Sequence, residues 1–198
     1  MPRDTCDTLT LLDVYERVLQ RNSGLPAGTL VMEHGRLAGP EQRARAVALD
    51  IPVTIRQPLL HDTAEVKEGF WGPARVARLF PARGWIDLGA QVSTGSDFPV
   101  GQFGAMRSVL GHDHATDRHW CQGPEHAITS CEALTLHTTN AAGLLGEEHR
   151  RGTLTPGRLA DLTIWDLDPA HCSGDTLRDL NPTHTFVGGL LVTPTGTR

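Results

Sequence analysis

Val92-Ser93-Thr94-Gly95-Ser96-Asp97-Phe98-Pro99-Val100-Gly101 is the stretch on which the fold turns. Val92 to Gly95 has the texture of the end of a buried strand, and Phe98-Pro99 stops any continuation. Asp97 therefore falls where a strand gives way to a loop. In β/α proteins that edge carries catalytic groups. A turn aspartate bonding its own backbone is the bland alternative, and the flanking sequence has to decide between them.

Upstream, helix and strand patterns alternate. Residues 8–21 place Leu11, Leu12, Tyr15, Val18 and Leu19 at helical spacing, and Asn22-Ser23-Gly24 ends them. Thr29 to Met32 reads as a short strand reaching Glu33-His34-Gly35. Pro40 to Leu49 reads as a helix opened by proline in its first turn, and Ile51 to Ile55 as a β-branched strand ending at Gln57-Pro58. Leu59 to Gly72, holding His61, Phe70 and Trp71, reads as a long loop. Pro73 to Leu88 reads as broadly helical despite Pro81 and Gly84. The order α, β, α, β, α, β predicts parallel strands joined by right-handed crossovers, each ending in polar residues: His34, Gln57 and Asp97.

Downstream, Gly101 to Leu110 has helical texture, residues 112–123 read as a polar loop, and Glu125 to Leu145 as an Ala-, Leu- and Thr-rich helix. From Gly152 the texture changes. Turn signals surround a β-rich run at Leu162 to Trp165, and another run, Thr185 to Val192, is interrupted by Gly188-Gly189, predicting a small β unit. The expected organisation is an α/β part over residues 1–148 and a β part over 149–198.

Composition narrows the class. A chain of 198 residues can bury a real core. The formal charge of -5, with Arg and Asp/Glu interspersed, leaves no basic face, so nucleic acid is not an expected partner. No run approaches the length of a membrane span and the start has no signal-peptide pattern, so a soluble, cytoplasmic protein is expected. Cys6, Cys121, Cys131 and Cys172 form no CxxC pair; they read as reduced thiols, although the even count leaves disulfides open.

The order EHG (33–35), IRQP (55–58), GSDFPV (95–100), GTLTPGRLADLTIWDLDP (152–169) and THTFVGGLLV (183–192) resembles the C-terminal half of the amidohydrolase superfamily, closest to amidohydrolase family 3. These are metal-dependent hydrolases of amide and related C–N bonds. The resemblance implies part of a (β/α)8 TIM-like barrel with part of a small β-sandwich built from both chain ends. It implies that His34 is a metal ligand after the sixth strand. Asp97, after the eighth, would bind metal and handle the proton of the attacking water. His61 and Arg75 resemble substrate-facing positions, with a loop-surface and a helix-surface role as their alternatives. The implied cofactor is a divalent metal, most simply zinc, which brings bound water to a pKa of about 7.

Departures from the family pattern matter as much. A His-x-His pair after the first strand, a ligand in mid-barrel and a histidine after the fifth strand have no convincing place here. A full barrel takes about 250 residues, and roughly 150 precede the β unit. The expectation is a truncated or split member acting on a small amide-type substrate, able to self-associate or pair with a missing N-terminal half. The alternative is an inactive remnant or an interaction protein on the same scaffold. His112-Asp113-His114 has His-x-His spacing but follows Asp97 in chain order and reads as a solvated loop. His119, His126, His137, His149, His171 and His184 read as surface or packing residues, and Gly157 and Asp161 as structural turn residues.

Overall fold

The computed structural model describes residues 3–56, 66–95, 124–172, 176–177 and 180–192. The first helix, α1 (Arg3–Arg21), buries Leu12 completely and packs Leu11 and Tyr15 against the same core. Helix α2 (Pro40–Ala48) starts on proline, and the Gln42 side chain accepts from the Gly39 N–H. Arg45 of α2 reaches Asp13 and Glu16 of α1 and ties the two helices together.

Strands β1 (Val53–Ile55) and β2 (Val92–Thr94) pair in parallel, with Val53 opposite Val92, Thr54 opposite Ser93 and Ile55 opposite Thr94. Met32 joins the other side of β1 through a single parallel bridge to Val53. Three chain segments thus run the same way, as the alternating pattern predicts, although the first contributes one paired residue and not the strand expected from Thr29. Apart from Ser93, both strands are made of β-branched residues, and every residue of β1 and β2 is buried, as parallel strands covered by crossover helices require.

Three sequence expectations need correction. Residues 66–71, expected to be loop, form a short helix, α3. The stretch from Pro73 to Leu88 is two helices, α4 (Pro73–Val76) and α5 (Ala82–Ile86). Phe80 breaks them with φ of 51° while donating its N–H to Arg36 O at 2.8 Å, and Pro81 cannot continue a helix. The expected helix over 125–145 is a 3₁₀ turn (Pro124–His126) followed by α6 (Ser130–His137) and α7 (Thr139–Leu144), kinked at Thr138. The expected helix at 101–110 and loop at 112–123 lie outside the described residues.

The core gathers Trp85, Phe80, Leu79, Val76 and Val92 with Met32, Val53 and Ile55, all nearly or fully inaccessible. Helix α6 opens with a reciprocal cap between Thr129 and Glu132. Arg83 of α5 grips the same Glu132 through two bonds of 2.9 and 2.7 Å. This pairing holds the Glu132 carboxyl down at about 2. Asn140 of α7 donates to Val92 O at 2.8 Å, seating the helix on β2.

The β unit is antiparallel, with order β3 (Leu162–Trp165), β4 (Pro182–Val187), β5 (Leu190–Leu191). Gly188 and Gly189 take φ of 58° and 81°, the paired positive values a two-residue hairpin turn needs. Asp161 accepts the Gly188 N–H at 2.7 Å and lies 3.4 Å from Arg151. Its role is structural, as its place in the PGRLAD turn suggests.

Candidate functional site at the strand ends

His34 stands two residues beyond Met32 and takes φ of 69°, a left-handed conformation that a residue with a side chain adopts at a cost of roughly 1–2 kcal/mol. Gly35 continues it at φ of 46°, and a β-carbon there would stand 2.6 Å from Val53 Cγ2 and 3.2 Å from Trp85 Nε1. The Glu-His-Gly triplet is therefore a tight turn that only glycine completes against the core. Strain held by a well-packed neighbourhood is a mark of functional positions. His34 lines a hollow of about 300 Å³ with Glu33, Arg36 and, from α1, Thr8 and Leu11.

Residues alternate between the two faces of a strand. Val53, Ile55 and Val92 belong to the apolar core. Thr54 and Ser93, both buried, share the opposite face, and the register carries this pairing on to Arg56 and Gly95. A connected polar network occupies that face. The Thr54 hydroxyl donates to the Glu33 carboxylate and accepts from the His34 N–H at 3.4 Å. Arg56 Nη2 meets the same carboxylate at 3.2 Å. On its other flank Arg56 lies across Gly95, where a β-carbon would stand 2.7 Å from Nη1 and push the guanidinium aside. Glu33, Thr54 and Arg56 were not singled out from the sequence; their meeting depends on strand register, which no local pattern reveals.

Of the sequence-derived site residues, His34 stands two residues beyond Met32, the bridge residue that pairs with Val53, and not at the end of a full strand. Arg75 lies half-buried in the last turn of α4, just before the fully buried Val76, and shows no ion pair among the described residues. Asp97 and His61 lie outside the described residues, as do Gln57 and the His112/His114 pair. His137 is a packing residue whose burial pulls its imidazole down to about 4. The exposed His171 bonds Asp168 at 2.7 Å, and the exposed His184 approaches Thr183.

Zinc sites in catalysis use three protein ligands and a water. Among the described residues no group of three or more His, Cys, Asp or Glu could hold a metal ion. His34 alone does not suffice. The described residues by themselves do not fit a divalent ion.

The arrangement, parallel strands backed by helices with polar groups gathered at their C-terminal ends, is that of an α/β protein. The chain belongs to the amidohydrolase family, whose pattern it matches over residues 3–193. It is 31% identical over 192 residues to an N-substituted formamide deformylase of Arthrobacter pascens, covering 94% of this chain and 34% of that protein. Protein LONG AFTER FAR-RED 3 of Arabidopsis thaliana is 27% identical over 192 residues, 93% of this chain and 32% of its own length. The chain spans about a third of these curated relatives.

Solved structures share the fold. An uncharacterized metal-dependent hydrolase from Pyrococcus horikoshii OT3 superposes with a TM-score of 0.64 at 21% identity, over 82% of this chain and 33% of that one. Atrazine chlorohydrolase TrzN from Arthrobacter aurescens TC1, complexed with zinc, gives 0.58 at 18% identity, over 83% and 36%. No described helix is long and apolar enough to cross a membrane.

Proposed function

We propose that this chain carries the strand-end face of a metal-dependent hydrolase that cleaves non-peptide C–N bonds in small amide-type substrates. Residues 1–148 would be the C-terminal part of a (β/α)8 barrel, and 149–198 part of its companion β-sandwich. The observation that carries the reading is the left-handed His34 at the end of the Met32 segment, on the same edge as the ends of β1 and β2. Family membership and the likeness to a formamide deformylase support the substrate class.

In this reading His34 and Asp97 would hold a divalent ion, zinc in the simplest case, which would supply Lewis acidity and acidify a water. Asp97 would serve as the proton acceptor and donor between that water and the leaving nitrogen. His61 and Arg75 orient the substrate. The remaining ligands would come from a stretch equivalent to the N-terminal part of the relatives, so these 198 residues alone would be inactive or nearly so. A non-catalytic interaction protein on the same scaffold is the second reading. Arg56, a cation held against Glu33 at the strand ends, favours it.

Co-expression with the N-terminal part of the Arthrobacter pascens deformylase separates the two. The expected result is a soluble complex that hydrolyses an N-substituted formamide and loses turnover, but not assembly, on Asp97→Asn. Robust, Asp97-dependent hydrolysis by the 198-residue chain alone would overturn the split-site reading. A well-formed but inert complex would establish the non-catalytic one.

A further inference from the structure

The geometry points to Thr54 as a positioning residue whose hydroxyl holds the turn that presents His34. That turn is not an ordinary bend. The Gly35 N–H bonds the Glu33 carbonyl, two residues back, at 3.0 Å, and His34 between them takes φ of 69°. A three-residue ring closed in this way around a positive φ is a γ-turn of the rare and strained kind. Such a conformation lasts only where its surroundings over-determine it.

Backbone pairing aligns the two segments at Met32, whose N–H bonds Pro52 O and whose carbonyl accepts from the Thr54 N–H, both at 2.9 Å. From there the Thr54 side chain continues the link. Its hydroxyl donates to the Glu33 carboxylate and accepts from the His34 N–H at 3.4 Å, so one group engages both residues that open the turn. Glu33 is in turn anchored by Arg56 at 3.2 Å. Gly35 is seated on the core, with no room for a β-carbon beside Val53 Cγ2. Core packing thus fixes the third residue of the turn, and the hydroxyl fixes the first two. Thr54 is only 4% exposed, so water does not readily take over its bonds. Valine has the same shape and suits a buried strand at least as well, as Val53 and Val92 show, so the hydroxyl is the part of Thr54 that the strand itself does not need. A side chain displaced by about 1 Å loses much of its chemical use. What His34 does once held rests on the proposed function; that it is held does not.

Amide exchange of the isotope-labelled 198-residue chain, read residue by residue by NMR, tests the assignment. Thr54→Val keeps the shape and removes both bonds. It should accelerate exchange at His34 and Gly35 about tenfold while 53–55 and 92–94 keep their protection. Thr54→Ser keeps the hydroxyl and should leave both rates near wild type. Glu33→Ala, at an exposed position, removes the hydroxyl's acceptor without touching the core and should accelerate the same two amides by a smaller factor. Unchanged rates in Thr54→Val, or in Glu33→Ala should the valine variant not fold, would overturn the assignment. So would equal acceleration in Thr54→Ser, or acceleration spread evenly over both strands, which would make Thr54 a general strut of the sheet. In the co-expressed complex Thr54→Val should lower kcat at least about tenfold with KM little changed, and Thr54→Ser should restore it. Normal turnover with a loosened turn would overturn the positioning role. Failure of the hydrolase reading looks different: the complex would be inert with every variant while exchange at His34 and Gly35 still followed the hydroxyl.

Discussion

The two sheets among the described residues are made of similar residues and are covered quite differently. Every residue of β1 and β2 is buried, whereas no residue of β3, β4 or β5 is. Val187 is 57% exposed and Leu190 75%, although both would suit an interior. Connection geometry explains the contrast. A parallel pair needs a crossover, and the crossover brings helices that cover the sheet. An antiparallel pair needs only a two-residue turn, here Gly188-Gly189, and acquires no cover from it. Burial in this chain follows from how strands are joined more than from which side chains they carry.

The contrast can be broken most directly by truncation. Trp85→Ala, inside the parallel core, should cost about 3–5 kcal/mol, while Leu190→Ala should stay under about 0.5 kcal/mol. Denaturant unfolding of the two variants checks this, and comparable losses would mean that the β unit is covered in solution by something else.

His137 offers a sharper probe, since it lies on α6 facing the hollow that the helices share with β3 and β4. Burial lowers its pKa from 6.5 to about 4, so the unfolded chain takes up the proton first. Stability is then full above pH 6.5 and falls as the pH drops toward 4, by at most about 3 kcal/mol. A pH series of unfolding curves should show this slope, and His137→Gln should flatten it. An unaltered slope would assign the acid sensitivity to other groups.

A more local effect is expected at Asp161. Asp161→Ala removes the bond to Gly188 N–H and the contact with Arg151, a loss of about 1–2 kcal/mol. Amide exchange should accelerate over residues 182–191 and leave 53–55 and 92–94 unchanged. Acceleration in both sheets would show that the two regions open together.

What could be read from the sequence follows the same physics. Val53 to Ile55 and Val92 to Thr94 were legible because short β-branched runs bounded by turn signals have few other uses. The hairpin was legible from its paired glycines. The break at Thr138 was not, since helical spacing continues on both sides and the kink is a backbone event in which the Thr138 hydroxyl bonds Leu134 O at 2.7 Å. Helix α3 was missed because Gly69 and the 81%-exposed Phe70 give it neither propensity nor a clean apolar face. At the candidate site, the turn at His34 was legible through its Glu-His-Gly setting. Arg56 was not, because its partners Glu33 and Gly95 become neighbours only once the strands are in register.

The spans across which partners meet also set an order in time. Thr94 reaches the Ile55 carbonyl across 39 positions, and Thr54 reaches Glu33 across 21, whereas Val187 and Leu190 are joined by one tight turn. Local hairpins close in about 1–10 μs, while long-range parallel pairs wait for distant chain segments to come together. The hairpin should therefore form early and the strand-end face late. Pulsed amide labelling during refolding should find protection at 184–191 before 53–55, and the reverse order would refute this sequence of events. During that interval the apolar side chains of the β unit stand in water with no partner sheet, which makes the earliest structure formed also the one most prone to stray association.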